Sequence, residues 1–313
     1  MLLSEHHVEK IILAEPRGFC AGVDRAVEAV RGALRNYGRP LYVRHQIVHN
    51  RFVLEALVEE GAIFVEDLAE VPEGQRVIFS AHGVAPSEWD RARDRGLRVI
   101  DATCPLVTKV HLEVERYARE NRSVILVGHA GHEEVKGTLG VAPGRVLLVG
   151  SVQEAEVAEV PDPERVAAVT QTTLSVDDTR EIMETLKRRF PAMVAPKTDD
   201  ICYATQNRQN AVKELVEQSD AILVVGSRQS SNANRLVEVA RMRGARAFLV
   251  DSLADVRPDM LEGVRALGVT ASASSPEWLV EQIIGAFANN GASVELLSVA
   301  KERVHFPLPM PAD

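Results

Sequence analysis

Cysteine is scarce in this chain of 313 residues, which has three cysteines, Cys20, Cys104 and Cys202. An odd and widely spaced set of cysteines is not the framework of a disulfide-rich secreted domain, and its spacing does not match a zinc finger or ribbon. Taken alone, a free cysteine is most often an inert core residue. A functional interpretation of these three therefore has to come from their surroundings.

The sequence also lacks long apolar runs and basic blocks. No apolar run reaches the roughly 18 residues of a membrane span, and the first residues, MLLSEHHVEK, carry charges where a signal peptide would have an apolar block. The formal net charge is −9, and the chain has neither a block rich in lysine and arginine nor an interleaving of aromatic and basic residues. We therefore expect a cytoplasmic protein of two or three domains without a membrane or nucleic-acid partner.

Each cysteine precedes a segment with helical periodicity. Cys20 follows the strand pattern IILA and a Pro-Arg-Gly turn, and Cys104 follows a β-branched strand and precedes Pro105 at a plausible first helical position. The strand pattern before Cys202 is weaker, but the helix after it, YATQNRQNAVKELV, is clear. The peptide dipoles at a helix N-terminus favour thiolate over thiol, and thiolate is the form that binds metals.

The remainder of the chain repeats the order strand, polar loop, helix. Near-continuous apolar strands such as VILV and AILVV alternate with helices, which predicts an α/β fold with mainly parallel sheets covered on both faces. The cysteine spacing suggests repeated units of roughly 90 residues, and hence three similar lobes around a shared centre. The predicted lobes are residues 22–104, residues 105–199, and residues 1–21 with 200–313, the last ending in a proline-rich tail that cannot be regular helix or central strand.

Ligands of open parallel sheets collect at the carboxyl ends of the strands. In this chain those ends carry imidazole, hydroxyl, amide and carboxyl groups, several of which can donate hydrogen bonds to an anion. No Walker loop, G-x-G-x-x-G fingerprint or cluster of lysine and arginine accompanies them, which points to a small phosphorylated ligand and away from a nucleotide. The residues are His49, His82, His132, Glu134, Thr172, Thr173, Ser230, Ser231, Asn232, Ser272 and Ser274.

Three thiolates at one point allow more than one kind of site. They could hold zinc, with a histidine or water as fourth ligand, or three irons of a 4Fe-4S cluster, and the softness of sulfur does not choose between them. In the second case one iron stays open and acts as a Lewis acid. The three sulfurs are then expected on the order of 6 to 7 Å apart. A hydro-lyase of the aconitase kind, which needs no electrons, and a non-catalytic iron-sulfur sensor are rival functions.

Nine ordered motifs resemble those of a known family. From about Ile11 to about Ile283 the chain is similar to the 4-hydroxy-3-methylbut-2-enyl diphosphate reductase family, also called the IspH or LytB family. The motifs are RGFCAGVDRAV, QIVHNRFV, FSAHGV, DATCPLVTKVH, GHAGHEEVKGT, QTTLSVDDT, CYATQNRQ, GSRQSSNANRL and GVTASASSP. The resemblance implies an iron-sulfur oxidoreductase that catalyses the last step of the methylerythritol phosphate route of isoprenoid biosynthesis. That step is a reductive dehydroxylation giving isopentenyl and dimethylallyl diphosphate.

The resemblance also implies a cofactor and a partner. Cys20, Cys104 and Cys202 would bind a 4Fe-4S cluster that has three cysteine ligands and one iron open to substrate. Because the chain has no flavin or nicotinamide motif, electrons would come from an external donor, a ferredoxin or a flavodoxin. The N-terminal extension MLLSEHHV and the proline-rich tail match nothing in the family, and they receive no role.

Roles for the polar residues follow from the same resemblance. Glu134 would be the proton source, and Thr172 would relay the proton or order a water. A carboxyl group close to a diphosphate has a raised pKa, which makes Glu134 a usable acid near neutral pH, and Glu133 is the competing carboxylate. The diphosphate would be bound by His49, His82, His132, Ser230, Ser231, Asn232 and Ser274. The histidines that receive no role, which we predict to be caps or solvated, are His45, His111 and His129.

Overall fold

The computed structural model describes residues 7–196 and 200–309, and strands alternate with helices along most of that chain. The strands are β1 (Lys10–Glu15), β2 (Leu41–Arg44), β3 (Ala62–Val65), β4 (Arg76–Phe79), β5 (Arg98–Asp101), β6 (Ser123–Val127), β7 (Val146–Val149), β8 (Val166–Thr170), β9 (Ala221–Val225), β10 (Arg246–Val250), β11 (Ala266–Ala271) and β12 (Ser293–Ser298). The helices are α1 (Ala21–Tyr37), α2 (Arg51–Glu60), α3 (Pro86–Asp94), α4 (Pro105–Arg119), α5 (Glu133–Val141), α6 (Val152–Val157), α7 (Val176–Arg189), α8 (Tyr203–Val216), α9 (Ser231–Met242), α10 (Pro258–Leu261) and α11 (Glu277–Ala288).

The strands form three parallel sheets. Their orders are β10-β9-β11-β1-β12, β3-β2-β4-β5 and β7-β6-β8. All pairings between these strands are parallel; in the largest sheet, Leu13 of β1 lies opposite Val269 of β11 and Leu296 of β12. The predicted α/β class with parallel sheets is therefore confirmed.

The chain divides into two compact units. The first comprises the described residues of Met1–Ala21, His49–Val53 and Tyr203–His305, and it contains the five-stranded sheet. The second comprises the described residues of Gly22–Val48, Leu54–Cys202 and Phe306–Asp313, and it contains the four-stranded and three-stranded sheets. The boundaries of the three lobes inferred from the sequence stay a prediction.

Alternate residues of the central strands pack on opposite faces of their sheets. In the first unit, Leu223 of β9 belongs to the apolar core that contains α11, whereas Val224 belongs to the core that contains α8 and α9. In the second unit, Ile125 of β6 packs with α7, whereas Leu126 packs with α4. Burial on both faces explains why these strands are apolar throughout and do not alternate with polar residues.

The helix starts show the predicted cap chemistry. Pro105 is the first residue of α4, where its missing N–H costs nothing, and Cys104 is the N-cap. The side-chain oxygen of Asn50 accepts hydrogen bonds from the backbone N–H groups of Phe52 at 3.1 Å and Val53 at 3.3 Å, so it caps α2. These caps fix the points at which the functional loops end.

Two further expectations concern the ends of the chain and the membrane. The described part of the proline-rich tail, residues 304–309, has neither helix nor strand, as predicted. The extension MLLSEHHV lies mostly outside the described residues. Among the helices of the described residues, none combines the length and apolar character needed to cross a membrane.

Candidate functional site

None of the three cysteines forms a disulfide, all three are partly exposed, and each immediately precedes a helix. Cys20 precedes α1 and belongs to the first unit, whereas Cys104 and Cys202 precede α4 and α8 and belong to the second unit. The weak strand pattern before Cys202 falls partly outside the described residues. The predicted position of every cysteine at the start of a helix is confirmed.

In the first unit, three of the predicted anion-binding residues contact one another, and a fourth, Asn232, is hydrogen-bonded to the residue before Ser274. The Ser274 hydroxyl donates to the backbone oxygen of His49 at 3.2 Å and to the Ser230 hydroxyl at 3.3 Å. The Asn232 side-chain oxygen accepts from the backbone N–H of Ala273 at 2.9 Å. Ser230, Asn232 and Ser274 are buried, whereas His49 is partly exposed.

The same loop reaches the first cysteine. The backbone N–H of Cys20 donates to the carbonyl of Ala273 at 3.3 Å. The N–H of the same alanine donates to the side chain of Asn232, so Ala273 links Cys20 to Asn232. Ser230 caps α9 by accepting from the N–H of Ala233 at 3.3 Å. Ser231, also predicted to bind the anion, is the first residue of α9 and is partly exposed. The amino end of α9 is therefore held beside the Cys20 loop.

In the second unit, Glu134 and Thr172 form a buried pair. The backbone N–H of Thr172 donates to one carboxylate oxygen at 2.7 Å, and its hydroxyl donates to the other at 2.9 Å. Burial raises the pKa of Glu134 to about 7, and the charge of Asp200 adds to this increase, while the two hydrogen bonds from Thr172 oppose it. Burial within the protein is therefore enough to raise the pKa of Glu134. A neighbouring diphosphate, which the sequence analysis gave as the cause, is not required.

His132 and His82 lie next to this pair. The Nδ1 atom of His132 accepts the backbone N–H of Glu134 at 3.2 Å and so caps α5. An Nδ1 that accepts a hydrogen bond carries no proton, so the proton of the neutral ring is on Nε2, which can donate to a ligand. The rings of His82 and His132 contact edge to face, with centroids 5.8 Å apart, and Nδ1 of His82 lies 3.2 Å from the Ser80 hydroxyl.

Both cysteines of the second unit are hydrogen-bonded to the loops that carry these groups. The backbone N–H of Cys202 donates to the carbonyl of Thr172 at 3.1 Å, and that of Cys104 donates to the carbonyl of Ala81, next to His82, at 3.0 Å. The second unit thus connects Cys104 with the His82 loop, and Cys202 with the Glu134–Thr172 pair, through single main-chain hydrogen bonds.

The competing carboxylate, Glu133, has a different environment. It is half-buried and pairs with Lys136 at 2.7 Å and with Nε2 of His45 at 3.3 Å, while Nδ1 of His45 lies 2.7 Å from Glu66. Although burial acts to raise it, the pKa of Glu133 is lowered on balance by the hydrogen bond from Lys136 and the charge of His45. A carboxylate held in its charged form is a poor acid, so the geometry favours Glu134.

Several residues in these networks were not identified from the sequence. Burial raises the pKa of Asp200, which accepts from the backbone N–H of Thr170 at 3.0 Å and from Lys109 at 3.1 Å. Asp200 is the second of two adjacent aspartates in the sequence, and only its long-range contacts distinguish it. His111 was predicted to be a cap or solvated, which is wrong: it lies inside α4, and burial lowers its pKa to about 4.

The donor set suits an iron-sulfur cluster in its chemistry. Three cysteine thiols at helix starts, none of them in a disulfide, are the ligands that such clusters use. Within residues 7–196 and 200–309, no three or more histidine, cysteine, aspartate or glutamate side chains are grouped so that they could hold a metal ion. Thiolates of a cubane cluster bind different irons, and so they are spaced more widely than the ligands of one ion.

Comparison with known proteins gives a consistent result along the chain. The family model described as LytB protein matches residues 11–288. A protein of Methylococcus capsulatus named 4-hydroxy-3-methylbut-2-enyl diphosphate reductase is 54% identical over 304 residues, covering 96% of this chain and 97% of that relative. One of the same name from Aromatoleum aromaticum is 55% identical over 302 residues, covering 96% of this chain and 97% of the relative.

Solved structures agree with these sequence matches. The E-1-hydroxy-2-methyl-but-2-enyl-4-diphosphate reductase of Plasmodium falciparum superposes with a TM-score of 0.94 at 40% identity, covering 96% of each chain. A second structure, titled (E)-4-hydroxy-3-methyl-but-2-enyl diphosphate reductase, the terminal enzyme of the non-mevalonate pathway, gives a TM-score of 0.64 at 31% identity. It covers 90% of this chain and all of the other.

Proposed function

Because the chain belongs to the LytB protein family, we propose that it is an oxidoreductase acting on 4-hydroxy-3-methylbut-2-enyl diphosphate. The reaction takes up two electrons and two protons, breaks the allylic carbon–oxygen bond and releases water. Its products are isopentenyl diphosphate and dimethylallyl diphosphate, at the end of the methylerythritol phosphate route to isoprenoids.

The observation that carries this proposal is the buried Glu134–Thr172 pair. A carboxyl group whose pKa is about 7 is protonated in a large fraction of molecules at neutral pH, so it can give a proton to a departing hydroxyl group. The Thr172 hydroxyl, 2.9 Å from the carboxylate, can pass that proton or order a water that does. The proposal is supported by the backbone N–H of Cys202, a proposed cluster ligand, which donates to the Thr172 carbonyl at 3.1 Å.

We assign cluster binding to Cys20, Cys104 and Cys202. When bound, a 4Fe-4S cluster with three cysteine ligands supplies electrons and an open iron with Lewis-acid character. The protein's contribution is to present each thiol at the start of a helix, where the peptide dipoles favour the thiolate. Within its own unit, the backbone N–H of each cysteine donates to a loop carbonyl, which holds the backbone that carries the thiol.

The diphosphate is assigned to neutral and hydroxylic donors. His132 donates from Nε2, since its Nδ1 accepts a backbone N–H. Ser230 and Asn232 are buried at the amino end of α9, where the helix dipole also favours an anion, and the buried Ser274 hydroxyl lies 3.3 Å from that of Ser230. The remaining proposed ligands are His49, His82 and Ser231.

The electrons have to come from another protein. A reductase of this kind needs a small substrate and an electron donor, and we propose a ferredoxin or a flavodoxin as the donor. The expected assay therefore contains an external one-electron reductant, and turnover in its absence would contradict the proposal.

Anaerobic Mössbauer spectroscopy of the iron-loaded protein, with and without the diphosphate substrate, tests the assignment. We expect a cluster with one iron whose spectrum changes when substrate is added, together with reductant-dependent turnover. Serine substitution of each cysteine in turn should reduce the iron and sulfide content. Net hydration of an alkene without electrons would favour a hydro-lyase instead, and a cluster that does not respond to substrate would favour a sensor.

A further inference from the structure

Arg208 is a fully buried charged residue that has no place in the proposed chemistry. It lies in α8, in the first unit, with 0% of its side chain exposed. Burying a guanidinium is costly unless every donor is paired, so its partners indicate what it is for.

Two of those partners are the carbonyls directly before Cys20. Nη2 of Arg208 donates to the oxygen of Gly18 at 2.8 Å and to that of Phe19 at 3.4 Å, and Nε donates to Gly18 at 3.2 Å. Nη1 donates to the oxygen of Ala204 in the first turn of α8. One side chain therefore joins the start of α8 to the loop that presents Cys20.

That loop has an unusual backbone. Gly18 has φ +65°, a conformation that L side chains rarely adopt, and an added Cβ atom would lie 3.2 Å from the carbonyl of Ser275. Main-chain hydrogen bonds hold its two ends: Gly18 donates to Ala271, and Cys20 donates to Ala273, each at 3.3 Å. The carbonyls between these points turn toward Arg208, which satisfies them.

The remaining charge on Arg208 is balanced by the C-terminal segment. Nη1 lies 2.9 Å from Oε1 of Glu302 and Nη2 lies 3.3 Å from Oε2, and Asn207 also donates to Oε1 at 3.1 Å. Glu302 lies beyond β12, in a stretch with neither helix nor strand. This ion pair and the hydrogen bond from Asn207 together link that stretch to α8.

We infer that Arg208 is a positioning residue that holds the Gly18–Cys20 loop, with Glu302 of the C-terminal segment fixing the guanidinium. A buried ion pair adds little to stability compared with an apolar pair of similar volume, so stability alone does not account for it. Its three hydrogen bonds to the carbonyls of Gly18 and Phe19 do account for the position of a loop. The inference rests on the proposed function in so far as Cys20 is a cluster ligand.

The test compares two changes with a matched control. Glu302→Gln removes the charge, and the double variant Arg208→Met with Glu302→Leu replaces the ion pair by apolar groups and is expected to fold. The control is Glu295→Gln. Glu295 pairs with Lys10 at 3.1 Å in the same unit, but Lys10 is the first residue of β1 and the Cys20 loop follows the opposite end of that strand.

Hydrogen exchange of the apoprotein measures how firmly the Gly18–Cys20 loop is held in the absence of the cluster. Loss of directed hydrogen bonds should make the backbone N–H groups of Gly18 and Cys20 exchange at least about tenfold faster in both variants and leave the control unchanged. After reconstitution, both variants should show an altered electron paramagnetic resonance spectrum of the reduced cluster, or a lower iron content, relative to parent and control.

The outcomes separate the inference from the proposed function. If the folded double variant exchanges like the parent and gives the same cluster spectrum, Arg208 does not position the loop, while the cluster assignment stands. If the parent itself assembles no iron-sulfur cluster, the role of Cys20 is wrong, and the exchange data still decide whether Arg208 holds the loop.

Discussion

Thr172 engages both carboxylate oxygens of Glu134, one through its backbone N–H at 2.7 Å and the other through its hydroxyl at 2.9 Å. Such bonds favour the charged form, yet burial outweighs them and raises the pKa of Glu134 to about 7. The protonated carboxyl and the carboxylate therefore coexist near neutral pH. Since a hydroxyl group both donates and accepts, Thr172 can stay bonded to the carboxyl group in either state.

Replacing Glu134 separates proton delivery from binding. Glu134→Gln keeps the size and the acceptor for the Thr172 N–H but removes the titratable proton, so cluster assembly and substrate binding should be largely intact. Turnover should fall by at least ~10²-fold, the low end for loss of a positioned general acid. Steady-state kinetics with an artificial reductant, together with the iron content, provide the measurement.

Glu133→Gln is the matched control for that change. Because Glu133 is paired with Lys136 and His45 and its pKa is lowered, the control should keep near-parental turnover. If Glu133→Gln is inactive and Glu134→Gln is active, the general acid is Glu133 and not Glu134. Full activity in both variants would mean that the proton comes from the substrate or from solvent.

Local sequence patterns predicted the framework of this site well. Strand and helix periodicity, Pro105 at a helix start and Asn50 as a cap are decided within a few residues, so the start of each helix could be placed beside its cysteine or cap. Glu134 and Thr172 were candidates because they lie at the ends of strands, their roles came from the family resemblance, and the geometry supplied their contact.

Pairs of residues that are far apart in the sequence could not be predicted from it. Nothing adjacent to Asp200 in the sequence indicates that Lys109 and the N–H of Thr170 hold it, and nothing near Arg208 points to Glu302. Such pairs depend on how loops fold over the sheets, which periodicity does not encode. For the same reason the burial of Glu134 could not be foreseen, and its raised pKa was attributed to a ligand although burial inside the protein is sufficient.

Removing an imidazole should weaken diphosphate binding without loss of the cluster. His49→Ala or His82→Ala would leave phosphate oxygens without a donor, at a cost of about 1.5–3 kcal/mol for each charge-assisted hydrogen bond. Anaerobic calorimetry with substrate gives the affinity, and the absorbance of the cluster is the control. Disappearance of that absorbance would make the histidine structural or a ligand, against the role proposed here.

The hydroxyl of Thr172 should tune the acid. Its hydrogen bond to Glu134 lowers the pKa of the carboxyl group, so Thr172→Val should raise that pKa and shift the loss of activity at alkaline pH to higher values. Turnover should also fall, by less than in Glu134→Gln, because the acid loses its orienting partner. Thr172→Ser keeps the hydroxyl and should restore both properties; an unchanged pH profile in Thr172→Val would contradict the coupling.

The raised pKa of Glu134 should also make the free energy of unfolding depend on pH in a predictable direction. A folded-state pKa of about 7 against an ordinary value of 4.5 means that between these pH values the folded protein holds a proton that the unfolded chain has lost. The contribution to stability is therefore full below pH 4.5 and is lost as pH rises through about 7. The total change is on the order of 3 kcal/mol.

The glutamine of Glu134→Gln does not titrate, so this variant does not lose that contribution. As pH rises from acid to values above the pKa, its free energy of unfolding should increase relative to that of the parent by about 3 kcal/mol. Urea unfolding of the reduced apoproteins across this range measures the difference. Glu133→Gln should show the opposite trend, because a lowered pKa stabilises the folded state above the ordinary value and that contribution is lost on acidification. Parallel curves for parent and Glu134→Gln would mean that the carboxyl group titrates normally, and the acid proposed for proton delivery would then be charged at neutral pH.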